Sequence, residues 1–87
     1  MYSVLILTKN EAANIKRCLN SLCTDDIWVL DSLSDDNTLD LCRNFQCKIR
    51  TRKFDNYANQ RNFGLKFDFK YEWILMLDAD ECLSQQL

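Results

Sequence analysis

The sequence predicts an α/β domain of three layers, with a mostly parallel sheet held between helices. Three observations predict it. Short apolar runs alternate with amphipathic segments three times along the chain. The first two runs, Val4–Leu7 and Ile27–Leu30, are continuous rather than alternating, which suits strands covered on both faces. One glycine and no proline in 87 residues, against average usage of about 7% and 5%, argue against sandwiches, barrels and disulfide scaffolds, which depend on many tight turns.

Each element has its own signal. Ser3–Leu7 reads as the first strand. Ala12, Ile15, Leu19 and Leu22 then recur at helical spacing, opposite Asn14, Lys16, Arg17 and Asn20. Thr8-x-x-Glu11 has the form of a capping box for that helix, and Asn10 is an equally good cap. Ile27–Leu30 is the second strand and ends on Asp31. The segment Ser32-Leu33-Ser34-Asp35-Asp36-Asn37 is rich in capping residues and opens a helix whose core stripe is Thr38, Leu41, Cys42 and Phe45. Cys47–Thr51 alternates as an edge strand does, with Lys48 and Arg50 to blunt the edge. From Asn56 to Phe67 the spacing predicts a helix with Ala58, Asn62 and Leu65 on one face and Phe63 and Phe67 on the next. Glu72–Leu77 is the last strand, running into Asp78-Ala79-Asp80-Glu81.

Length and composition bound the function. A chain of 87 residues and 10.3 kDa is one domain. The absence of histidine excludes histidine triads and Cys/His zinc sites. A net charge of −2, with no basic run beyond Arg50–Lys53, argues against nucleic acid as a partner. Five cysteines, Cys18, Cys23, Cys42, Cys47 and Cys82, show no Cys-x-x-Cys spacing and read as reduced thiols of a cytoplasmic chain. No apolar run reaches the roughly 18–20 residues of a transmembrane span, which leaves peripheral association with a membrane open.

In a doubly wound sheet ligands bind beyond the carboxyl ends of the strands, where the strand order reverses. Three separated segments place polar residues there: Thr8, Asn10 and Glu11; Asp31 and Ser32; Asp78 and Asp80. In extended backbone residues i and i+2 share a face, so Asp78 and Asp80 suit one hard divalent cation, Mg²⁺ or Mn²⁺. A solvated acidic turn is the plain alternative. An EF-hand fails, because Leu83 stands where its loop needs glycine. An aspartyl phosphatase is disfavoured because the motif follows the last strand rather than the first. Asp31 can accept hydrogen bonds from a base or ribose. Arg61 is either a solvated surface cation or a phosphate contact.

Four blocks then carry a resemblance: Leu5-Ile6-Leu7-Thr8-Lys9-Asn10-Glu11, Val29-Leu30-Asp31-Ser32-Leu33-Ser34-Asp35-Asp36-Asn37-Thr38, Gln60-Arg61-Asn62-Phe63 and Leu75-Met76-Leu77-Asp78-Ala79-Asp80-Glu81. In order and spacing the chain resembles family 2 glycosyltransferases, most closely bacterial members that add sugars such as glucose to the lipopolysaccharide core. The resemblance implies the GT-A, Rossmann-like fold and a nucleotide-diphosphate sugar donor, commonly a uridine diphosphate sugar. It implies that Thr8 and Glu11 line the nucleoside pocket, that Asp31 meets the uracil, that Asp78 lies near ribose and metal, and that Asp80 is the main ligand to Mg²⁺ or Mn²⁺. It also implies an inverting reaction on an acceptor glycan or lipid-linked glycan at the inner face of the cytoplasmic membrane. Residues 1–87 are then expected to be the donor-binding part, truncated after the fourth strand, inactive alone, and without the carboxylate base. A non-catalytic nucleotide-binding or oligomerising module is the alternative. Two further expectations follow. Leu33 stands where the family usually has glycine; if that turn needs positive φ, leucine strains it by about 1 kcal/mol or more. Trp73–Leu77, apolar and at an open edge, is expected to pair with a second copy of the chain.

Overall fold

The computed structural model describes residues 1–79. Its elements run β1 (Ser3–Thr8), α1 (Ala12–Asn20), β2 (Ile27–Asp31), α2 (Thr38–Arg43), β3 (Lys48–Thr51), α3 (Tyr57–Gly64) and β4 (Ile74–Asp78). Every strand pair is parallel, and the sheet order is β3-β2-β1-β4. The chain therefore builds outward from β1 through β2 to β3, then returns to lay β4 on the other side of β1. The order reverses between β1 and β4. The register sets Thr8 beside Asp31 and Leu7 beside Asp78, so the polar strand ends fall on one line.

Both faces of the central strands are covered, which explains their continuous apolar runs. Val4, Ile6, Val29 and Leu77 face Ile15, Cys18 and Leu19 of α1 and Cys42 of α2. Leu5, Leu7, Trp28 and Leu30 pack on the opposite side with Phe67, Phe69 and Met76. Trp28 stacks on Phe67 with ring centroids 4.9 Å apart and meets Phe69 edge-on at 5.8 Å. Gly64 lies so near the sheet that a Cβ there would stand 2.6 Å from Cδ2 of Leu5. The lone glycine of the chain marks the closest approach of α3 to β1.

The helix ends depart from the sequence pattern. The Thr8/Glu11 capping box does not form: Glu11 occupies the N-cap of α1 with no side-chain cap bond, and Asn10 does not cap it either. Two N–H groups at the start of α1 are instead bonded by the loop after β2 and the first residue of α2. Glu11 N donates to Thr38 Oγ1 at 2.9 Å and Ala12 N to Asp36 Oδ2 at 3.2 Å. For α3 the expected cap holds, with Asn59 N donating to Asn56 Oδ1 at 2.8 Å. Its buried face is different from the expected one. Gln60 and Gly64 are buried, whereas Ala58, Asn62 and Leu65 are exposed. Eight helical residues show too few turns for spacing alone to fix which stripe meets the sheet.

β3 is an edge strand, as its alternation implies. Lys48 and Arg50 both lie over the Trp28 ring, 5.2 Å from its centroid, so they cover an aromatic as well as the edge. Lys48 also reaches the fully buried Asp26 at 2.6 Å. The free side of β4 is the other edge among the described residues, and Trp73 just before it is 79% exposed. Burial pushes the Cys42 thiol up to about 12 and the Cys47 thiol up to about 11, which keeps both protonated and inert. No helix among the described residues is long and apolar enough to cross a membrane.

Candidate functional site

A cleft of about 630 Å³ opens at the carboxyl ends of β1, β2 and β4, beside the point where the strand order reverses. Of the residues read from sequence, Thr8, Glu11, Ser32 and Asp78 line it. Asp78, the last residue of β4, is partly buried at its wall. Asp80 lies outside the described residues.

Asp31 lies beneath the cleft with no exposed surface. Its Oδ1 accepts from Thr8 Oγ1 at 2.5 Å and from Ser34 Oγ at 2.6 Å, and its Oδ2 accepts from Ser34 N at 2.7 Å. The carboxylate thus clamps the β1 terminus to the loop after β2. Asn10 is a second clamp. Its N–H donates to Ser34 Oγ at 2.8 Å, and its side-chain oxygen accepts from Asp35 N at 2.9 Å. Asp36 closes the set by accepting from Thr38 N and Thr38 Oγ1, and the Thr38 hydroxyl holds its carboxyl below the usual range. The loops after β1 and β2 therefore form one cross-linked rim.

Leu33 sits in that rim with φ 58°, in the left-handed region. A leucine there costs about 1–2 kcal/mol. Its carbonyl is fixed by Lys9 Nζ at 2.9 Å. Asn10, at φ 52°, shares this conformation at less cost, since a short amide side chain tolerates it.

On the α3 side the cleft is lined by Gln60 rather than Arg61. Gln60 is 1% exposed; its Nε2 donates to Ser32 Oγ at 3.0 Å and its Oε1 accepts from Arg52 Nη1 at 2.9 Å. Arg61 is exposed, with its guanidinium 5.9 Å from the Tyr57 ring centroid. Adjacent helical residues diverge by about 100°, so one of the pair reaches the cleft and the other does not. Lys9, Lys53, Phe54 and Tyr57 also line it and were not read from the sequence. Lys9, Lys53 and Phe54 lie in loops, which carry no periodic signal, and Tyr57 is only the first residue of α3. The cleft thus combines two lysines, two carboxylates and a partly exposed apolar wall, a composition suited to an anionic ligand with a flat apolar end.

The sequence model of glycosyl transferase family 2 matches residues 3–87. The chain belongs to this family. An uncharacterized glycosyltransferase of Rickettsia bellii is 39% identical over 87 residues, covering 98% of this chain and 29% of that protein. The glycosyltransferase SunS of Bacillus subtilis is 37% identical over 86 residues, covering 93% of this chain and 20% of that one. The family 2 chain therefore spans less than a third of the length of the curated relatives it matches. Residues 1–349 of TarS from S. aureus superpose with a TM-score of 0.78 at 25% identity, over 98% of this chain and 29% of that one. The Pyrobaculum calidifontis mannosyltransferase PcManGT, solved with GDP-Man and Mn²⁺, superposes with a TM-score of 0.74 at 22% identity, over 91% of this chain and 27% of that one. The four parallel strands and their helices are those of the GT-A glycosyltransferases.

Proposed function

We propose that the chain is the donor-binding part, residues 1–87, of an inverting, metal-dependent glycosyltransferase that takes a nucleotide-diphosphate sugar, with a uridine diphosphate sugar as the preferred donor. The observation that carries this reading is the cleft at the strand reversal, lined by Asp78 at the end of β4, Thr8 at the end of β1, Glu11 beyond β1 and Ser32 beyond β2. The acceptor is a glycan or lipid-linked glycan, and the setting is cell-envelope or lipopolysaccharide synthesis at the cytoplasmic face of the membrane. The resemblance to bacterial core glycosyltransferases supports that setting.

The donor set fits a hard cation. Asp78 brings a partly buried carboxylate to the cleft, and Asp80 stands two residues on, so Asp78 and Asp80 would hold Mg²⁺ or Mn²⁺. When bound, the ion supplies Lewis-acid neutralisation of the charge on the departing diphosphate. The nucleotide sugar and Mn²⁺ in PcManGT support the same combination on this fold. The chain's own part is positioning. Lys9 and Lys53 bring positive charge to the cleft for the diphosphate, and the locked rim orients the nucleoside without reorganising.

Calorimetry with UDP-glucose and GDP-mannose, with and without Mn²⁺, tests the reading. Binding is expected to need Mn²⁺ and to weaken more than about tenfold, or about 1.4 kcal/mol, in both Asp78→Ala and Asp80→Ala. No heat with either donor at millimolar concentration rejects the reading in favour of a non-catalytic module. Because its relatives continue well beyond the matched part, the chain alone is expected to transfer no labelled sugar. The exposed edge of β4 beside Trp73 supports self-association. Sedimentation is expected to show a dimer or larger assembly at tens of micromolar; a monomer alone contradicts it.

A further inference from the structure

We propose that Leu33 is a specificity-determining residue that contacts the nucleoside end of the donor, and that its strained backbone is retained for this contact. The inference rests on the donor-binding reading above. Leu33 holds φ 58° although glycine would adopt that conformation without strain. Core burial does not compensate, because the residue is half exposed. Strain of this kind persists only where the surroundings over-determine it. Here they do: Lys9 Nζ grips the Leu33 carbonyl, Ser32 on one side is held by Gln60, and Ser34 on the other by Asp31 and Asn10. The leucine is thus displayed on a rigid rim.

What it is displayed toward follows from its neighbours. Phe54 and Tyr57, 52% and 47% exposed, line the same cleft. Three large apolar side chains left half in water around one cavity favour a ligand that brings flat apolar surface. Within a nucleotide-diphosphate sugar the nucleobase has two such faces, whereas the diphosphate and the sugar hydroxyls need charge and hydrogen bonds. Lys9 and Lys53 in the same cleft provide charge for the diphosphate. Leu33, Phe54 and Tyr57 together therefore define the base-contacting wall, and Leu33 is the member whose presence a glycine would abolish.

Leu33→Gly removes both the side chain and the strain, while Leu33→Ala removes most of the side chain and keeps the strain. Calorimetry in Mn²⁺ with UMP, GMP, UDP, GDP and pyrophosphate, beside thermal melts without ligand, separates contact from fold. For the nucleotide that the wild type binds, both variants are expected to weaken binding about 5–20-fold, by the same factor for mono- and diphosphate, with pyrophosphate unaffected. Leu33→Gly is expected to keep or raise the melting temperature. Unchanged nucleotide affinity in both variants overturns the inference alone, as does a loss confined to diphosphates or shared by pyrophosphate. A lowered melting temperature in Leu33→Gly also overturns it, since the leucine would then be stabilising its loop. A wild type that binds no nucleotide overturns the donor-binding reading, and this inference with it.

Discussion

Asp31→Ala is expected to destabilise the chain by about 3–5 kcal/mol, a large part of the roughly 5–15 kcal/mol that holds a domain together. Asp31 has no exposed surface and accepts three hydrogen bonds, two at Oδ1 and one at Oδ2. Hydrogen bonds to a charged acceptor contribute roughly 1.5–3 kcal/mol each, and truncation leaves the Ser34 N–H without an acceptor in a partly buried loop. Asp31→Asn is expected to cost less. Its carbonyl can face Ser34 N while its amide donates to the Thr8 and Ser34 hydroxyls, which turn to accept. Urea unfolding measures both variants, and an Asp31→Ala value within 1 kcal/mol of wild type would sink the clamp. Because the same loop carries Ser32 and Leu33 into the cleft, Asp31→Ala is also expected to lose nucleotide binding below its melting temperature.

The second large effect lies at the opposite end of the sheet. Asp26 is fully buried and accepts from Ser3 Oγ and Lys48 Nζ at 2.6 Å, Lys70 N at 2.8 Å and Trp28 Nε1 at 3.1 Å. Through these bonds one carboxylate joins β1, β2, β3 and the segment that leads to β4. Burial by itself pushes its carboxyl up, but the hydrogen bonds from Lys48, Ser3 and the Lys70 amide outweigh burial and hold it at about 2. A carboxyl depressed by folding stabilises the native state above the unfolded value near 4 and loses that contribution as pH falls toward about 2. The contribution at neutral pH is about 2 kcal/mol. Asp26→Ala is expected to cost about 3 kcal/mol at pH 7, because it also strands the buried indole N–H and the Ser3 hydroxyl. The gap between wild type and variant should narrow between pH 4 and pH 2 and stay flat from pH 5 to 8. A gap independent of pH down to 2 would show that Asp26 contributes through shape alone.

The sequence determined the layering of this protein. Short continuous apolar runs suit strands buried on both faces, and the helical stripes between them suit the cover of those faces, so the parallel α/β sheet and the line of polar strand ends were legible in the pattern. The edge position of β3 was legible in its alternation, whereas the positive φ of Leu33 came from the structure. Tertiary structure decided which polar groups line the cleft. Asp31, beneath the cleft, and Asp78, at its wall, both end an apolar strand, so the strand pattern alone does not separate them. Asp31 is held by Ser34, three residues on, and by Thr8, which the register of β1 and β2 brings beside it from a distant part of the chain. The start of α1 is likewise bonded by Asp36 and Thr38, more than twenty residues away, in place of the local capping box. Gln60 rather than Arg61 reaches the cleft because Gly64 lets α3 settle on Leu5 and so fixes the rotation of the helix. Hydrophobic periodicity is a property of the chain, whereas the partner of a polar group is set by which loops meet in space.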